Sequence, residues 1–159
     1  MVAERYGYGS PLHLAALQLF PLSGNGASFP VTIYPVAEGA SAVAAAGSLG
    51  ITGTATKNGS GKIYIGGIVA EFAVTKDDTG DDVLAKVKTA INGVLNMPVT
   101  AGDLDDHVIP LTAKFKGTIG NQVKTELQAD IAGLTFSVTQ LSGGSIDGDV
   151  DDALAAIGG

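Results

Sequence analysis

A chain of 159 residues is long enough to bury one core but not two large ones. With 45% apolar and 16% charged residues it has the composition of a folded domain, and its 23 glycines imply short elements joined by many turns. The net charge of −7, with only nine dispersed basic residues, excludes the Lys/Arg clusters that hold nucleic acid or anionic membrane. The lack of cysteine excludes disulfides, thiolate nucleophiles and Cys-based zinc sites and is compatible with a reducing cytosol. No apolar run approaches the ~18 residues of a membrane-spanning helix. Met1-Val2-Ala3-Glu4-Arg5 is not the basic-then-apolar opening of a secretory signal.

In chain order, Ser10-Pro11 predicts a helix start, with Ser as N-cap and Pro in the first turn. Leu12, Leu14, Ala15, Leu17 and Leu19 follow on a short apolar helix that ends before Pro21. Leu22 to Ser28 reads as a Gly/Ser/Asn loop. Val31 to Val36 reads as a strand that Pro35 consigns to an edge or an end. Ala37 to Ala46 is a low-complexity Ala/Gly/Ser stretch and is expected to be a linker.

Strand patterns are expected at about Ser48–Ala55, Lys62–Ile65 and Ile68–Val74. The last two form a hairpin across Gly66-Gly67, with Ile63, Ile65, Ile68, Ala70, Phe72 and Val74 on one face. Thr79 is read as the N-cap of the main helix, expected over Thr79–Asn96. Asp81 and Asp82 favour the positive end of its dipole. Val83, Leu84, Val87, Ile91, Val94 and Leu95 recur at 3.6-residue spacing as its buried stripe, which Met97-Pro98 ends. Three more strands are expected: Val108–Lys114, which Pro110 puts at an edge or makes begin late, then Val123–Ile131 and Leu134–Leu141. The last two alternate strictly and are expected to form a second hairpin. Asp151 to Ile157 reads as the start of a further helix, so the pattern predicts a chain that continues. The fold class is α+β, mainly an antiparallel sheet with one packed helix.

Four places invite a chemical reading, and each fails on spacing. Asn58-Gly59-Ser60-Gly61-Lys62-Ile63 suggests a phosphate loop, but Thr56 stands where its first Gly belongs and Ile63 where Ser/Thr should hold magnesium. It also leads into a strand. Asp147-Gly148-Asp149-Val150-Asp151-Asp152 opens like a calcium loop, yet Asp152 and Gly158 occupy the positions that need Gly and Glu. Asp103, Asp105, Asp106 and His107 lack a further ligand at helical spacing and read as an exposed turn. His13 reads as a packed or half-exposed side chain on an apolar helix. No Gly-x-Ser-x-Gly elbow supports a Ser-His-Asp triad. The expectation is therefore no catalytic, cofactor-binding or metal-ligating residue, no cofactor and no enzyme activity.

Tyr6-Gly7-Tyr8-Gly9-Ser10-Pro11-Leu12, Ile51-Thr52-Gly53-Thr54-Ala55-Thr56, Tyr64-Ile65-Gly66-Gly67, Pro98-Val99-Thr100-Ala101 and Leu111 to Asn121 occur in this order. They are followed by Gly143-Gly144 and by Asp151 to Gly158. The series resembles the tail sheath proteins of Mu-like contractile phages and prophages. The resemblance implies an internal piece of a longer subunit: residues 1–46 and 147–159 in fragments of an α/β core domain, and 47–146 as an inserted β-rich domain. It implies a structural protein of the virion tail, made in the bacterial host cytoplasm, whose partners are other sheath subunits and the tail tube. Such a sheath contracts from a metastable lattice without a cofactor. The 159-residue piece alone is expected to be monomeric or weakly self-associating, with no nucleic-acid or membrane partner. The alternative reading is a surface module of a virion that binds a host glycan or another virion protein.

Overall fold

The computed structural model describes residues 2–21, 24, 26, 30–151 and 154–155. Two helices open the chain, α1 (Val2–Tyr6) and α2 (Pro11–Leu19). The Ser10 hydroxyl accepts from the His13 N–H, as the cap reading requires. Among the described residues seven strands follow: β1 (Ala44–Gly53), β2 (Gly59–Ile65), β3 (Ile68–Val74), β4 (Val99–Ala101), β5 (Val108–Lys116), β6 (Thr125–Gln128) and β7 (Leu134–Ser142). Helix α3 (Gly80–Gly93) lies between β3 and β4, and a 3-10 turn (Thr118–Gln122) lies between β5 and β6.

All pairings are antiparallel, which bears out the α+β class, but they form two sheets where one was expected. The larger has the order β4-β5-β1-β7 and the smaller β3-β2-β6. Their apolar faces share one core. Leu49 and Ile51 of β1, Ile63 and Ile65 of β2, Ile109 and Leu111 of β5 and Val83, Leu84, Val87 and Ile91 of α3 are all fully buried. Helix α3 packs on β3, β1, β4 and β5 and so reaches both sheets.

The β2–β3 hairpin is as expected. Ile65 pairs with Ile68 across Gly66-Gly67, both at positive φ, so the turn has the twist that suits a two-residue loop. Strand β2 starts at Gly59, earlier than expected, because the glycines tolerate a crowded position. A Cβ on Gly61 would stand 2.3 Å from the Phe72 ring. At α3, Thr79 and Asp82 form a reciprocal capping box, the Asp82 N–H donating to Thr79 Oγ1 and the Thr79 N–H to Asp82 Oδ2.

Several expectations are corrected. Val31–Val36 forms no strand: Pro30 and Pro35 lack donors, and no described strand edge forms a ladder with the segment. The expected linker Ala37–Ala46 runs into β1, which begins at Ala44; the three alanines Ala44–Ala46 carry no β-pattern until β5 pairs with Ala44 and Ala46 and β7 with Ala46. Helix α3 stops at Gly93, short of Asn96, because Val94 turns to an extended backbone; this leaves Leu95 65% exposed, off the buried stripe. Strand β5 is interior, not an edge, and it begins at Val108, ahead of Pro110, not late. Pro110 fits because its carbonyl accepts from the Gly102 N–H just past the end of β4, so its missing donor faces the place where that neighbour stops.

The expected second hairpin does not form. β6 is four residues long and pairs with β2, whereas β7 pairs with β1 in the other sheet. Alternation reports that both strands have one buried face and does not report which neighbour they take. Most of the expected loop Leu22–Ser28 lies outside the described residues. Asp151, Leu154 and Ala155 are helical, with the Leu154 N–H donating to the Val150 carbonyl, and the remainder of that expected helix is likewise outside them.

Candidate functional site

The residues singled out in the sequence do not converge. Asn58 caps a turn: its Oδ1 accepts from the Lys76 N–H at 2.7 Å, and Gly59 to Lys62 are already in strand β2. His13 is buried, its Nδ1 accepting from the Gly9 N–H at 3.1 Å and its ring edge-on to Tyr8. That arrangement makes it a packing residue.

The Asp103–His107 stretch is a tight hairpin. Asp105 and Val108 exchange both backbone hydrogen bonds, with Asp106 and His107 in the left-handed region between them. Asp103 and His107 take separate partners. Asp103 pairs with Lys88 at 2.6 Å, which holds its carboxyl below the usual range. His107 Nδ1 lies 2.8 Å from Asp81 Oδ1 in the first turn of α3, and that hydrogen bond and charge raise the imidazole above its ordinary value. The pair's contribution is therefore fully present below about pH 6.5, the unfolded value, and is lost as pH rises through the raised folded value. Asp81→Asn should lower the His107 titration midpoint seen by NMR, and an unchanged midpoint would count against this pairing.

In the Asp147–Asp152 stretch, both Asp147 oxygens are occupied by Thr118, Oδ1 accepting from its N–H and Oδ2 from its hydroxyl, each at 2.6 Å. These bonds lower the Asp147 pKa. Asp149 Oδ1 accepts from the Asp151 N–H, a turn contact, and the Asp152 side chain is outside the described residues. Among the described residues no three His, Asp or Glu side chains gather as a metal site. Thermal melts with calcium, magnesium, zinc or nucleotide should accordingly show no specific shift, since a ligand selective for the native state would raise the midpoint by mass action. A rise of several degrees at micromolar calcium that Asp149→Ala abolishes would reverse that reading.

A groove among the described residues runs between Tyr6, Leu12, Tyr34–Val36, Phe115, Ile119 and Val150. Lys114 lies along it, its amine held below the usual lysine range by burial. The groove mixes apolar walls with Asp147 and Glu38, whose oxygens already serve Thr118 and the Lys116 N–H. Its Thr118 hydroxyl donates to Asp147, whose other oxygen accepts the Thr118 N–H, so the contact is a local cap. No helix among the described residues is long and apolar enough to cross a membrane.

No protein-family model matches the chain. Against curated proteins, it is 30% identical over 158 residues to the Mu-like prophage FluMu tail sheath protein of Haemophilus influenzae strain Rd. The alignment takes in 96% of this chain, which spans about a third (32%) of that relative. The resemblance read from Tyr6–Leu12 onward is thus borne out. Among solved structures, the D2–D3 domains of the flagellar cap protein FliD from Escherichia coli overlay at a TM-score of 0.33 with 15% identity, covering 70% of this chain and 73% of that one. Those from Serratia marcescens overlay at 0.28 with 16% identity, covering 74% and 93%. Overlays of that quality carry no functional argument.

Proposed function

We propose that this chain is part of a contractile tail sheath subunit of a Mu-like phage or prophage. The observation that carries the proposal is the sequence similarity to a tail sheath protein, which runs almost from end to end of the chain. On this reading the protein is structural. It works with other sheath subunits and the tail tube, and it contributes to an envelope whose contraction is driven by rearrangement of subunits and not by catalysis. It is made in the bacterial host and resides in the virion tail.

The division into 1–46, 47–146 and 147–159 belongs to the same proposal, with the middle unit inserted between core-domain segments. Apart from the first residues of β1, which begins at Ala44, the two sheets and α3 lie in the middle unit, and the outer segments carry the exposed apolar side chains Tyr34, Val36 and Val150. Exposed apolar groups of that kind favour association with further polypeptide.

The direct test is immunogold labelling of particles from an induced lysate with antibodies raised against residues 1–159. Label along the tail sheath in extended and contracted particles is the expected result. Label confined to the fibres or baseplate would overturn the sheath reading and favour a surface binding module. In solution, light scattering should find residues 1–159 monomeric or weakly associating, with any association weakened in residues 45–146. A stable oligomer unaffected by that deletion would place assembly in the middle unit itself.

A further inference from the structure

Three side-chain carboxamides stand where a neighbouring strand would otherwise bond. Asn92, near the end of α3, donates from Nδ2 to the Ala101 carbonyl and accepts the Ala101 N–H at Oδ1, both at 2.9 Å. Gln140 of β7 does the same to Thr125 of β6, at 2.7 and 3.0 Å. Asn121 does so to Gly144, at 2.9 and 2.8 Å.

Each of these backbone groups points away from its own sheet. In β4, Pro98 and Gly102 bond to β5, so by alternation Ala101 faces outward. In β6, the Gly66 N–H bonds to the Lys124 carbonyl, so Thr125 points away from β2. Beyond β7, Val43 and Ser145 exchange both backbone bonds, which turns Gly144 outward.

A carboxamide has the donor and acceptor of a peptide unit in nearly the same geometry. Bonded to both groups of one residue, it reproduces one rung of an antiparallel ladder. A strand edge with unpaired N–H and C=O groups is a template for another chain, and β4 and β6 are edges of their sheets.

We propose that Asn92, Gln140 and Asn121 are edge plugs, occupying the backbone positions through which a second copy of this chain would add a strand. The inference is independent of the sheath reading. In a densely packed assembly such plugs would prevent strand addition between domains, leaving contacts to surfaces of defined shape.

The test compares Asn92→Ala, Asn92→Asp and Gln140→Ala with the unaltered 159-residue chain, by sedimentation velocity over a hundredfold concentration range and by thermal melts. Both alanine variants should remain folded and gain a concentration-dependent dimer absent from the parent. Asn92→Asp should lose a comparable amount of thermal stability, because a carboxylate oxygen then faces the Ala101 carbonyl. It should nevertheless stay monomeric, since a charge on an edge opposes strand addition. If Asn92→Ala fails to fold, Gln140→Ala carries the test with the same expectation. Alanine variants that remain monomeric, or association of all variants in proportion to lost stability, would overturn the proposal.

Discussion

Val87→Asp should destabilise the chain by roughly 4–5 kcal/mol, the loss expected when a core side chain is replaced by an unpaired buried charge. Val87 is fully buried in the middle of the α3 stripe, in one cluster with Ile63, Ile65 and Phe72. The neighbouring Lys88→Asp should cost about 1 kcal/mol or less, because it exchanges a surface ion pair with Asp103, whose side chain is almost wholly exposed, for a solvent-screened like-charge pair. At about 2–4 °C per kcal/mol for a chain of this size, the two melting midpoints should differ by roughly 6–20 °C. Equal midpoints would mean that α3 does not pack by this face. The cluster also contains Leu127 and Phe136, which are only partly buried, so a substitution there should cost less than one at Val87.

Gly133→Ala is the other change expected to be severe. Gly133 has φ +93, and a Cβ there would stand 2.1 Å from the Thr54 carbonyl oxygen. Its own carbonyl accepts from the Thr54 N–H at 3.0 Å, at the point where β1 and β7 begin to pair. Both the backbone strain and the contact with a backbone atom oppose a side chain, and together they should cost about 3 kcal/mol or more. Gly67→Ala is the control. It has φ +81 but nothing within 4 Å of a Cβ, so only the strain remains, about 1 kcal/mol. Thermal melts of the two variants separate these contributions. Equal losses would show that the close approach between Gly133 and Thr54 is not part of the folded state.

Sequence reasoning succeeded where a local rule acts alone. The β2–β3 hairpin follows from period-2 alternation on both sides of Gly66-Gly67, and α2 and α3 start where Ser10 and Thr79 can cap them. The amide plugs were not legible. Asn92, Asn121 and Gln140 look like ordinary surface polar residues until the backbone atoms they serve, at Ala101, Gly144 and Thr125, are brought beside them.

What the sequence by itself determined was the identity and face of the strongly periodic elements, along with the resemblance to tail sheath proteins. These depend on residue order along one segment or on motifs met in succession. Only the tertiary structure decided that there are two sheets, that β6 joins β2 while β7 joins β1, and that Pro110 sits inside a sheet. An alternating strand buries the same face whichever neighbour it pairs with, and a proline is tolerated wherever the adjoining strand happens to end. Ala44–Ala46 became strand for the same reason: pairing with β5 and β7 supplied an order that the alanines do not encode. Partner choice lies in contacts distant along the chain, which local periodicity does not contain.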